Sequence, residues 1–421
     1  MKVPQKKINW KKNLFFVWLS QLLSLAGFAA VMPFIPVYLR VKFGIEDPNI
    51  RGGYVAIFNF ASMLSFAIFA PVWGWLADRF GRKVMLIRSG VAAGILFPLM
   101  AFAPNVWCLI LLRLFTSIFS GTVTAANTLI SSCTPDDKQG FALGTLSTAL
   151  WSGNMLGFLF GGLVVHYFGY TMGFLLCGGL YLIGTALVIF CVHENFTRPQ
   201  PAENTEEAEE KKHGISRWIP SFPTALWLVL SLFLMMGFAR RFEEFYLALQ
   251  VEQIAGKANT ELYTGWICTA AALGGIVSGT SVGWLIDRFS PKCVVLCALP
   301  ISCIFVLLQG FAPSLMVLGT ARFITFISSS SLEPAILSIL SRITPREKRG
   351  IAYGWTATFR CVGMLLAAAS GGFLVYHTGV RSTFIVAAIG FLLLTRQFFL
   401  WIGLLRRNQI SSEWIKYALF C

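Results

Sequence analysis

Gly74-Trp75-Leu76-Ala77-Asp78-Arg79-Phe80-Gly81-Arg82-Lys83 returns 209 residues later as Gly283-Trp284-Leu285-Ile286-Asp287-Arg288-Phe289-Ser290-Pro291-Lys292, with seven of ten positions identical. At the same offset Phe102-Ala103-Pro104 matches Phe311-Ala312-Pro313, and Arg113 matches Arg322. One chain of 421 residues therefore holds two copies of one unit, and 56% of its residues are hydrophobic while 13% are charged. A soluble domain carries about 25% charged residues. The chain reads as a duplicated membrane protein, and such duplication places a substrate path between the two halves.

Apolar runs long enough to cross a hydrocarbon core about 30 Å thick are expected at roughly 14–38, 52–77, 84–103, 107–131, 141–165, 171–193, 224–249, 261–286, 293–312, 314–341, 351–376 and 382–405. No ten-residue alternation suited to a membrane β-barrel is present, so the spans are helices. The net charge of +15 reports topology. Lys2, Lys6, Lys7, Lys11 and Lys12 precede the first span, and every second loop after it is basic, whereas the intervening loops hold chiefly Arg40, Lys42, Arg51 and Lys257. This asymmetry predicts cytoplasmic termini, a multi-pass protein of the plasma or inner membrane, and no nucleic-acid partner.

Pro199, Pro201 and the acidic run from Glu203 to Glu210 cannot enter lipid, so 194–223 reads as a cytoplasmic linker. It separates an N-terminal six-helix half, 1–193, from a C-terminal half, 224–407, with a cytoplasmic tail at 408–421. Six is even, so both copies enter the membrane from the same side as parallel repeats. The ten cysteines show no CxxC and no metal spacing, and four scattered histidines supply no acid–base pair. No catalytic residue, metal or cofactor is expected, and the chain is not read as an enzyme.

Gly74, Asp78, Arg79, Gly81, Arg82 and Lys83 set a carboxylate among cations at a cytoplasmic helix end, where ion pairs can break and reform as helices shift. This loop resembles the signature loop of the major facilitator superfamily, and Gly283, Asp287 and Arg288 resemble its second-half counterpart, although Ser290-Pro291 replaces Gly-Arg there. The resemblance implies an all-α membrane protein with twelve transmembrane helices in two six-helix parallel repeats, the major facilitator fold. It also implies a gating role for Asp78 and its neighbouring cations.

Gly153, Gly157, Gly161 and Gly162 form a small-residue stripe on the fifth span that lets helix backbones touch. The spacing fits generic packing, and it is also similar to the antiporter signature of the drug:proton exporters, with Phe158 where a proline is usual. The eleventh span echoes it at Gly363, Ala367, Gly371 and Gly372, and the eighth carries Gly275, Gly279 and Gly283. Arg113 lies about 9 Å along the fourth helix at 1.5 Å per residue and repeats as Arg322 in the tenth. Both fit a buried functional role or a snorkelling one. Arg113 resembles the family's fourth-helix arginine implicated in proton transfer.

Arg240, Arg241, Glu243 and Glu244 sit past the midpoint of the seventh span, with Arg240 spaced to lie beside both glutamates. They read either as a self-neutralising helix end or as a gate or cavity wall. Glu333 before Pro334, Arg360 and Arg396 complete the intramembrane charges. The first span carries no acid, so Glu333, Glu243 and Glu244 are the candidate proton carriers.

These residues imply a monomeric secondary transporter, surrounded by membrane lipids, that moves a small organic molecule by alternating access. The resemblance points to proton-coupled efflux of drugs or metabolites, a multidrug-resistance activity powered by the proton gradient. A surplus of deep arginines favours an anionic metabolite such as a carboxylate siderophore as the alternative cargo. A membrane receptor that binds without transporting is the alternative from another class. Asp78→Asn is expected to cut transport in proteoliposomes while leaving membrane insertion intact, and undiminished flux would remove the gating role from Asp78.

Overall fold

The computed structural model describes residues 9–135, 138–194, 224–288, 290–344 and 349–407, without the side chains of residues 71, 78, 140, 224–225, 280, 282–287, 341–343, 349–351 and 404–407. Of the expected linker only Glu194 is among them, and the tail at 408–421 lies outside them. The described residues form helices and no strand. Ten segments are long and apolar enough to cross a membrane. One of them, Phe141–Cys191, is 51 residues long and turns back at Gly169. Gly169 has a φ of 82°, which a residue without Cβ adopts freely, and so separates the fifth and sixth spans. The seventh, Thr224–Glu244 continued by Leu247–Ala255, carries the charged cluster that lowers its hydropathy. Twelve crossings result.

Helix starts follow local chemistry. Asn9, Asp47, Asn105 and Ser314 each cap the following helix by accepting a backbone N–H with the side chain. Three spans that read as continuous are in fact interrupted. The first breaks after Ala29, where Pro33 and Pro36 cannot donate, and resumes over Ile35–Phe43. The seventh breaks at Phe245 and Tyr246. The fourth is split into Val106–Ile118 and Thr122–Cys133 by Gly121, whose φ is 123°.

Glycines set the contacts within each half. A Cβ at Gly153 would lie 2.7 Å from the Leu22 carbonyl oxygen, and at Gly157 or Gly161 it would strike Ala26 or Ala30. The fifth-span stripe therefore seats the first span backbone to backbone. Gly363 does the same for the eleventh span, against Leu234 of the seventh.

The halves meet through two helix pairs, second with eleventh and fifth with eighth. At one end they touch: Gly52 against Val375, Gly372 against Ala56, and Gly162 against Gly265 and the Glu261 backbone. At the signature-loop end the same four helices diverge. Gly74, Gly144, Gly279 and Gly354 have no neighbour within 4 Å of an added Cβ, so the backbone contact expected of the eighth-span stripe is absent at Gly279. Trp75 and Phe141 are 61% and 66% exposed there. The molecule is closed at one end and open at the signature-loop end.

Gly157→Leu, which must push the first span away, is expected to destabilise the purified protein by about 1–3 kcal/mol. Gly144→Leu, which faces open space, should leave the thermal midpoint unchanged. Equal shifts for both variants would contradict the packing described.

Candidate functional site

Between the halves lies a cavity of about 470 Å³. Phe28, Phe58, Trp151, Phe158, Phe245 and Phe326 give it aromatic walls. Arg113, Arg240, Arg241, Arg322 and Arg360 face it, with Glu244 and Glu333 as its acids. Apolar and aromatic walls with a few charged groups are the make-up of a site for a small organic molecule.

The C-terminal half pairs its charges. Arg322, 1% exposed, donates from Nη1 to Oε1 of Gln309 at 3.1 Å and meets Glu243 at 3.3 Å. Gln309 is held in turn by Thr325 at 2.9 Å. Arg241 meets Glu244 at 2.6 Å, and Arg360 of the eleventh span pairs with Glu333 of the tenth. Arg240 lies within electrostatic reach of Glu243, Glu244 and Glu333 but forms no ion pair with them: Glu243 turns to Arg322 on another helix and Glu244 is taken by Arg241, while Arg240 lines the cavity. Arg396 lies on an exposed face outside the cavity.

Arg113 differs from its repeat partner. It is 7% exposed, which removes the snorkelling reading, and it forms no hydrogen bond or ion pair with another described residue. Its guanidinium lies 5.4 Å from the Phe28 ring centroid and 5.3 Å from that of Phe58. Cation–π contacts contribute about 0.5–2 kcal/mol each, whereas burying an unpaired ion costs several kcal/mol. The repeat offset explains the difference: Met100 stands where the tenth-span arginine finds Gln309.

The closed end holds a cluster that sequence reasoning left among the outer cations. Arg51 of the second span grips Glu252 bidentately, at 2.7 and 2.9 Å, and Arg40 of the first reaches the same carboxylate at 2.7 Å. Arg40 also donates to the Lys257 carbonyl at 3.2 Å, Lys257 meets Glu46 at 2.5 Å, and the Tyr170 hydroxyl donates to Glu261 at 2.7 Å. Every one of these contacts crosses between the halves. The available signal was an acid, Glu252, just past the expected seventh span and on the same side as Arg40, Lys42, Arg51 and Lys257.

At the open end the signature loop is tied within its own half. Gly81 turns the chain with a φ of 98°, and Glu194 accepts from the backbone N–H groups of Arg82 and Lys83 at 3.0 and 2.8 Å. A carboxylate there complements the positive end of the third helix. Arg79 lies over Trp75 at 5.6 Å. The side chains of Asp78 and Asp287 lie outside the described residues, as does that of Gly283's neighbourhood, and Arg288 is exposed.

Two bundles of six helices around a central charged cavity, sealed at one end, define a membrane transporter rather than an enzyme. The family model described as Major Facilitator Superfamily matches residues 17–256 and 245–416, and the chain belongs to that superfamily. It is 32% identical over 383 residues to the multi-drug resistance efflux pump PmrA homolog of Lactococcus lactis, covering 90% of this chain and 93% of that one. It is also 32% identical over 411 residues to the multidrug resistance protein MdtG of Escherichia coli, covering 96% and 98%. In fold it resembles the crystal structure of a bacterial homolog of the human lysosomal transporter Spinster in an inward-facing, occupied conformation. That match has a TM-score of 0.74 at 14% identity and covers 94% and 98% of the two chains.

Glu252→Gln should loosen the closed end, because removing one partner of a buried pair costs about 3–5 kcal/mol. The readout is labelling of Val375→Cys, buried against Gly52, by an impermeant maleimide. Labelling should rise at least about tenfold, the equivalent of about 1.4 kcal/mol.

Proposed function

We propose that this chain is a secondary active transporter that exports drugs or related small organic molecules in exchange for protons. The observation that carries the reading is a central aromatic and charged cavity, open at the signature-loop end and latched at the other by ion pairs between the halves. Breaking that latch while closing the open end would expose the same cavity to the opposite side of the membrane, which is alternating access. The printed names of the relatives, a multi-drug resistance efflux pump and a multidrug resistance protein, support drug export as the direction and cargo.

The positive-inside asymmetry supports cytoplasmic termini in the plasma or inner membrane. The signature-loop end then faces the cytoplasm, and the state described is inward-open. The chain acts as a monomer, since each half supplies walls to one cavity. Asp78, with Arg79, Arg82 and Lys83, serves as the gate at the open end when the halves close there.

Proton coupling falls to the acids of the C-terminal half, because each of the three is paired with an arginine and the first span has none. Glu333 is the main candidate. It faces the cavity, and protonating it releases Arg360 on the neighbouring helix. A proton thereby becomes a change in helix–helix attraction. Glu333→Gln in proteoliposomes should reduce dye transport driven by an imposed pH gradient by at least about tenfold, equivalent to about 1.4 kcal/mol. Exchange of labelled for unlabelled dye without a gradient should be largely retained. Equal loss of both modes would count against a proton-carrying role, and no flux from the wild type would sink the transport reading itself.

A further inference from the structure

Beside the main cavity lies a side lobe of about 260 Å³ that shares Phe28, Met63, Arg113, Arg241 and Met364 with it. Arg113 therefore stands on the wall common to both. The lobe is bounded by hydroxyl groups: Ser62 and Ser117 share a hydrogen bond of 2.7 Å, and Thr116 and Ser120 also face it. Its far side is the break in the fourth span, where Ser120, Gly121 and Thr122 line the space.

The twelve-residue helix Thr122–Cys133 begins at that break with Gly121 as its cap and no side chain capping its first amides. A helix start carries positive potential and unsatisfied N–H groups. The preceding carbonyls are already engaged: Trp73 donates to Ile118 at 2.6 Å and Arg88 to Ser120 at 3.4 Å. What the lobe offers a ligand is positive charge and donors. The independent observation is Arg113 itself, nine-tenths buried, aimed into this space and without a partner among the described residues, while its repeat mate Arg322 is neutralised by Glu243.

Resting on the transport reading above, we propose that the favoured substrates are amphiphilic organic anions whose carboxylate or sulfonate docks on Arg113. The flat apolar body then lies along Phe28 and Phe58 in the main cavity. The oxyanion supplies what Met100 does not, and whichever of Ser62 and Ser117 accepts in their shared bond keeps its hydrogen for the anion, Thr116 being committed to the Leu112 carbonyl. Arg113 thereby sets specificity: the arginines already paired with glutamates do not compete for the anion, and Arg240, the other cavity arginine without an ion pair, stands on the opposite wall where the nearby Glu333 and Glu244 carboxylates offset its charge.

The test is equilibrium dialysis of the full-length protein in nanodiscs with four matched probes: naphthoate, naphthalenesulfonate, naphthol and naphthylmethylammonium. Wild type should bind the two anions at least about tenfold more tightly than naphthol, the range of a hydrogen bond to a charged group. The ammonium should bind most weakly. Arg113→Gln should remove the anion advantage while naphthol stays within about twofold, since the rings are untouched. Arg113→Lys should restore part of the advantage, which also guards against a general folding defect in the glutamine variant.

Equal wild-type affinity for naphthoate and naphthol, a preference for the ammonium, or an anion advantage that survives Arg113→Gln would each overturn the proposal. An advantage for naphthoate without naphthalenesulfonate would restrict the site to carboxylates and uphold it. In any overturned case, dye transport driven by an imposed pH gradient in proteoliposomes, absent from protein-free liposomes, would keep the transport reading standing. Normal anion binding without flux of any probe would leave the docking site in place and remove transport.

Discussion

Burying an ion in a low-dielectric interior is costly unless another charge or hydrogen bond compensates it, and this constraint organises the molecule. At the closed end two guanidiniums from one half share the carboxylate of Glu252 from the other. The surrounding helices meet through small residues, Gly52, Gly162, Gly265 and Gly372, which permit close approach but bury little side-chain surface. The ion cluster therefore supplies the specific attraction, and the glycines supply the room for it. Opening the closed end means separating those charges into a medium that can solvate them, which water at the mouth provides.

The same constraint makes the duplicated halves chemically unequal. Arg113 and Arg322 stand at equivalent positions on helices capped at equivalent residues, Asn105 and Ser314. In the C-terminal half Gln309 and Glu243 absorb the buried charge. In the N-terminal half Met100 and an acid-free first span leave it exposed to the cavity. Duplication thus produced two scaffolds of one shape. Substitution at a few facing positions then gave the second half its paired acids and the first its unpaired cation. The signature loop shows a parallel division, since Glu194 ties Arg82 and Lys83 into the N-terminal half alone.

Much of this was legible in the residues. Hydrophobic run lengths located the spans, because the bilayer demands about 20 apolar residues per crossing. The 209-residue offset exposed the repeat, and deep arginines and glutamates marked the cavity that Arg113, Arg240, Arg241, Arg322, Glu333 and Arg360 do line. Helix interruptions were harder to see. The break at Gly121 sits in an apolar run that meets every length criterion, and it exists because Trp73 and Arg88 from other helices satisfy the freed carbonyls. The partners of each charge were harder still. Helical spacing put Arg240 beside Glu243, but a neighbour thirteen residues from Gln309, namely Arg322, captured that carboxylate from another helix.

The order of residues alone dictated that the chain spans the membrane many times, that it comprises two related units, and that charge is concentrated between them. Those properties depend on local composition and on repetition along the chain. Tertiary structure decided which end is shut, which acids are committed to which arginines, and which cavity arginines, Arg113 and Arg240, are left without one. Those outcomes depend on distances between helices far apart in the chain. A carboxylate pairs with whichever cation the packing brings within about 4 Å, where Coulomb attraction is steepest, and Glu252 meets Arg51 across 201 residues for that reason.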